Sequence, residues 1–234
     1  MKKSLNKRPW KVISGGQTGV DRAGLVAAMT YCIPIGGWLP KGRLAEDGVV
    51  PEDFYDMQEC EGGYRERTRA NVRSANATLI LSDRFPLTGG TAYTAEIAAE
   101  LGKPHKIVDL DADNAAGQIR DWMLSLEDSL EKELKKIILN VAGPRESVSP
   151  GIFSKAKAIL IDVFGWFRNH SGGDLCAIDD DGGLIAWTDA EFIAEMEAKH
   201  AKEESKCFTI SSGEEKDQNT KMKGKGQWQE KMRK

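Results

Sequence analysis

The chain has 234 residues, 40% of them hydrophobic, and a formal net charge of −3. That is enough chain for one well-buried domain plus an appendage. The slight negative charge argues against general nucleic-acid affinity, and no stretch approaches the roughly 20 apolar residues needed to span a bilayer. Cys32, Cys60, Cys176 and Cys207 are scattered with no Cys-x-x-Cys pair, which reads as reduced thiols of a cytoplasmic protein rather than a disulfide framework or a metal site.

Residues 1–9 form a basic arm (Lys2, Lys3, Lys7, Arg8) without the apolar run of an export signal. From residue 10 onward, apolar runs of strand type at 10–14, 33–38, 77–82, 105–110 and 136–142 alternate with helical patterns. The helices are predicted at 21–31, 63–75, 91–102, 113–134 and 149–163. This alternation predicts an α/β domain over 10–164, Rossmann-like and doubly wound, with a mainly parallel sheet and helices on both faces. Ligands of such sheets bind outside the carboxyl ends of the strands.

After residue 164 the character changes. Leu175–Ile178 and Leu184–Trp187 flank an Asp-Asp-Asp-Gly-Gly turn, predicting a β-hairpin, and Thr188-Asp-Ala-Glu191 opens a charged helix to about Glu204. The hairpin and helix make a C-terminal extension over 165–204. Residues 205–234 are polar and Lys-rich, the composition of a disordered tail.

Polar clusters follow the strands. Ser14-Gly-Gly-Gln-Thr-Gly19 with Asp21 and Arg22 joins the first strand to its helix. Gly15, Gly16 and Gly19 let the backbone turn sharply and approach a ligand, and the helix start adds unsatisfied N–H groups. Thr88-Gly89-Gly90-Thr91 opens another helix and offers a second set of anion donors, with N-capping as the plainer role of its threonines. Lys41 and Arg43 stand in a third loop, where they pair with phosphate or are simply solvated. Asn140-Val-Ala-Gly-Pro-Arg-Glu-Ser147 makes a fourth cluster. On the helix at 63–75, Arg65, Arg69 and Arg73 share one side and read as a solvated basic face, whereas Arg67 and Asn71 lie on another and reach toward a ligand or a neighbouring subunit. Glu46, Asp47 and Glu96 are candidate carboxylates, and no histidine has a nucleophile beside it.

Together these segments resemble the molybdenum-cofactor carrier family. Ser14–Arg22, Gly36-Gly-Trp-Leu-Pro-Lys-Gly-Arg43 with Ala45-Glu-Asp-Gly48, Arg67-Thr68 with Asn71, Gly89-Gly-Thr91 and Asn140–Ser147 carry the resemblance in order. It covers about residues 10–164. It implies a Rossmann-like fold related to lonely-guy-type phosphoribohydrolases and nucleotide sensors, a homo-oligomer, and the molybdenum cofactor (molybdopterin) as bound cargo, with a molybdoenzyme or cofactor-insertion protein as partner.

The expected function is therefore binding and protection of a phosphorylated small molecule, with Trp38 or Tyr93 either covering its ring or packed in the core. The alternatives are a nucleotide-sensing module or a phosphoribohydrolase-like enzyme, in which Glu96 would be the catalytic acid. The metal would arrive with the cargo, so no protein metal site is expected.

Overall fold

The computed structural model describes residues 10–130 and 137–170, with the short strands Ala177–Ile178 and Leu184–Ile185. In chain order the elements are β1 (Trp10–Ile13), α1 (Val20–Thr30), β2 (Ile35–Leu39), a 3-10 turn at Lys41–Arg43, β3 (Leu44–Ala45), β4 (Gly48–Val49) and β5 (Met57–Glu59). They continue with α2 (Tyr64–Ser74), β6 (Ala77–Ser82), α3 (Gly89–Glu100), β7 (His105–Asp109), α4 (Ala115–Leu130), β8 (Ile137–Ala142), α5 (Ile152–His170), β9 (Ala177–Ile178) and β10 (Leu184–Ile185).

One six-stranded sheet runs β5-β2-β1-β8-β6-β7, and every pairing in it is parallel. The doubly wound α/β reading is therefore correct. β8, the last of these strands in the chain, is wedged between β1 and β6. Val12, Leu79, Ile80, Leu139 and Val141 are fully buried, as strands covered on both faces require. Right-handed crossovers put α1 and α4 on one face, α2 and α3 on the other. The packing agrees: α1 and α4 both lie against α5, and α2 lies against α3.

Sequence periodicity missed the short elements. β3 and β4 form a two-residue antiparallel ladder, and β5 adds a parallel edge to β2. Two or three residues give no alternation to detect. α5 also runs through residue 164 to His170, and it carries Phe164 and Phe167 into the core. The predicted hairpin appears as β9 paired antiparallel with β10. The basic arm 1–9, the charged helix at 188–204 and the tail 205–234 lie outside the described residues. Among the described residues, no helix is long and apolar enough to cross a membrane.

Candidate functional site

The loops after β1, β6 and β8 meet the start of α2 around a cavity of about 450 Å³ at the carboxyl edge of the sheet. This is where adjacent strands β8 and β6 send their chains to helices on opposite faces, the crevice in which open α/β sheets bind ligands. Its walls include Gln17 and Asp21 from the first loop and helix, and Tyr64, Arg65, Arg67 and Thr68 from α2. Thr88, Gly89, Gly90, Thr91, Tyr93 and Thr94 come from the α3 side, and Ala142 to Arg145 with Val148 from the loop after β8.

The two Gly-rich turns differ in what they leave open. At the α1 turn the donors are already engaged. Gln17 N–H donates to Asp21 Oδ2 (3.3 Å), Thr18 N–H to Gln17 Oε1 (3.0 Å), and Val20 N–H to the Pro144 carbonyl (3.2 Å). Three backbone donors of the expected anion site, Gln17, Thr18 and Val20, are thus taken by the protein's own oxygens. Ser14 Oγ is buried and donates to the Val141 carbonyl at 2.8 Å. Gly19 has φ +73°, and a Cβ there would stand 2.5 Å from the Pro144 carbonyl, so the glycine serves loop-to-loop packing. Gly16, at φ +68°, packs likewise against Leu39 and Val50. At the α3 turn no side chain caps the helix, and Gly89, Gly90 and Thr91 face the cavity. The first N–H groups of α3 are thus left without a side-chain cap at the cavity, the kind of helix start that suits an anion.

Arg22 is 2% exposed and donates from Nε to the Gly16 carbonyl at 3.2 Å. Its Nη2 also reaches Asp47 Oδ1 at 2.7 Å. It braces the loop and does not line the cavity. Lys41 is exposed beside Glu61 at 3.6 Å, and Arg43 donates to the Pro51 carbonyl at 3.2 Å; neither reaches the cavity. Asn71 is a brace too, taking the Trp38 N–H at 2.9 Å on Oδ1 and giving Nδ2 to the Trp38 carbonyl at 2.9 Å. Trp38 donates from its indole to Ser74 Oγ (2.9 Å) and stands apart from the cavity, which corrects its expected place over a ligand ring.

Glu96 is exposed and absent from the cavity wall. Two residues beyond Thr94 on a helix is more than half a turn, so a face that presents Thr94 turns Glu96 to solvent. This corrects its candidacy as a catalytic acid.

The charge in the cavity is mostly positive. Arg67 Nη1 donates to Asp21 Oδ2 at 3.0 Å, with the two side chains 12% and 5% exposed. Arg67 Nε is buried with no partner. Burial pushes the Asp21 carboxyl above the ordinary carboxylate range, against the opposing pull of Arg67. Arg65 lies over the Tyr93 ring at 4.2 Å. Arg145 is held by Glu46 (Nε to Oε2, 3.3 Å), and Glu46 also accepts the Ser147 amide at 3.1 Å and the Thr18 and Ser147 hydroxyls.

Sequence reasoning placed Arg65 on a solvated face, carried Arg145 only as part of the fourth loop cluster, and gave Tyr64 no role. Arg69, one turn on from Arg65, does follow the surface reading, pairing with both oxygens of Glu100 at 3.0 Å. The missed signal was Tyr93: an aromatic one turn into a Gly-rich helix start gives a neighbouring arginine something to stack on. Among the described residues, no group of three or more His, Cys, Asp or Glu is placed to hold a metal ion.

A family profile described as the circularly permutated YpsA SLOG family matches residues 12–164. The chain belongs to that family. Its profile spans β1 to the middle of α5, so every wall of the cavity lies within the shared region. A solved structure from Syntrophus aciditrophicus SB, described as a "putative molybdenum carrier protein", is 42% identical. It aligns over 68% of this chain and 97% of its own with a TM-score of 0.60. No curated protein matches the chain.

Proposed function

We propose that this protein binds a phosphorylated small molecule bearing a flat ring and carries it without chemical change, the molybdenum cofactor being the favoured cargo. The observation that carries this reading is the cavity itself. It joins the open start of α3 to Arg65, Arg67 and Arg145, and it adds the Tyr64 and Tyr93 rings. Backbone N–H groups and guanidinium forks suit a phosphate, and tyrosine faces suit a heterocycle. A volume of about 450 Å³ falls within the range that holds cofactor-sized ligands. The molybdenum carrier description of the 42%-identical relative supports the choice of cargo.

Carriage is favoured over hydrolysis because Asp21 is the only carboxylate on the described wall, and it is committed to Arg67. The protein's part is to hold the phosphate, cover the ring and keep water from the oxidation-sensitive end. Release would then be to a molybdoenzyme or an insertion protein, from a homo-oligomer in the cytoplasm.

The test is to denature purified protein and analyse the released small molecules by mass spectrometry, alongside molybdenum content. A stoichiometric pterin phosphate with molybdenum supports the carrier. A nucleotide without pterin moves the reading to nucleotide sensing. Protein that releases neither and binds neither on titration would overturn the proposal.

A further inference from the structure

Gln17 is 8% exposed, and its carboxamide is fixed in one orientation. Oε1 accepts two main-chain donors, the Thr18 N–H at 3.0 Å and the Glu46 N–H at 2.9 Å. Both neighbours are donors, so the oxygen must face them and the amino group must face away. Nε2 has no partner among the described residues and retains solvent access in a residue that lines the cavity. A buried amide that keeps two unused donors toward a cavity implies an acceptor arriving with the ligand.

Asp21 stands beside it. Its Oδ2 accepts both Gln17 N–H and Arg67 Nη1, and the carboxyl is on the same wall. Both of these donors fall on Oδ2, and the Ser14 hydroxyl also acts on the carboxyl; a ligand N–H would meet Oδ1, which takes neither of the first two. The carboxylate already matches the charge of Arg67, and it would repel a phosphate dianion. A phosphate therefore belongs with Arg65, which has no carboxylate partner among the described residues, and with the α3 start.

We infer that Gln17 and Asp21 read a lactam edge, a ring carbonyl beside a ring N–H. The carbonyl accepts from Gln17 Nε2, and the N–H donates to Asp21. The ligand class is thereby narrowed to 4-oxopteridine or 6-oxopurine phosphates. A 4-amino or 6-amino ring inverts both hydrogen bonds and is rejected. This inference rests on the phosphorylated-ring reading above and adds an orientation and a ring chemistry to it.

The experiment is calorimetric titration of the full chain with 6-hydroxymethylpterin phosphate and with its 2,4-diaminopteridine counterpart. The oxo ligand should bind about 10- to 100-fold tighter, the range for leaving a buried polar pair unmatched. Gln17→Glu keeps the Oε1 acceptor that braces the loop but replaces the donor, so the preference should collapse or reverse, a change that loosening of the loop alone would not produce. The wild-type comparison stands even where the variant folds poorly. Equal affinity for the two ligands overturns the lactam inference and leaves the phosphate reading intact. Binding of neither ligand overturns both.

Discussion

Gly15 and Arg67 are in such close contact that a Cβ built on the glycine would stand 1.8 Å from Nη1. The same nitrogen holds Asp21 at 3.0 Å. The absence of a side chain at position 15 is therefore what lets the guanidinium pass close to the first loop and reach its carboxylate.

Gly15→Ala should force Arg67 off Asp21 at a cost of about 1–3 kcal/mol, the usual range for overpacking. Urea denaturation of the single variants and of Gly15→Ala with Arg67→Ala measures it. The alanine should cost clearly less once Arg67 is gone; an equal cost in both backgrounds would place the strain elsewhere.

Asp21 gives stability a distinctive pH dependence. Its carboxyl titrates above the ordinary value of 3.8 because burial outweighs Arg67. A carboxyl raised on folding contributes stability that is full below the unfolded value and lost as pH rises through the folded one. The melting temperature of the wild type relative to Asp21→Asn should therefore increase as pH is lowered from neutrality toward 4. A gap that narrows on acidification would show that the ion pair dominates instead.

Glu46 ties three loops together, gathering Thr18, Arg145 and Ser147 on one carboxylate. Glu46→Gln keeps the shape but removes the charge that holds Arg145. Hydrogen exchange at the Ser147 amide should quicken, and affinity for a pterin phosphate should fall about 3- to 10-fold, the scale of one charge-assisted contact in a partly exposed site. In an Arg145→Ala background the loss of affinity from Glu46→Gln should largely vanish.

Glu96→Gln should change neither ligand affinity nor any ribose-releasing activity, since the residue faces solvent on α3. Loss of such an activity in this variant, measured against several nucleotides, would restore the hydrolase reading.

The strand and helix order was legible because long buried strands and amphipathic helices write their periods into the sequence. Val12–Ile13, Ala77–Ser82 and Ile137–Ala142 are examples. What stayed hidden was pairing: nothing local at Leu139 says that it will lie between Val12 and Ala77. The site was legible as a set of loops and not as a division of labour. Arg22 and Arg67 look alike in the sequence, each in the first turn of a helix that follows a glycine, three residues past Gly19 in one case and four past Gly63 in the other. Yet Asp47 and the Gly16 carbonyl absorb Arg22, while Arg67 lines the cavity. Asp47 lies 25 residues from Arg22, and Asp21 lies 46 from Arg67, separations no motif encodes.

The place of β8 has a consequence for how the chain is made. The half-sheet β5-β2-β1 and the pair β6-β7 share no ladder of their own; β8 alone joins them. Until residue 142 has left the ribosome, a nascent chain carries two sheet fragments with bare inner edges, the arrangement most open to wrong pairing with a neighbour. Translation must run almost to the end of the domain before its middle can exist.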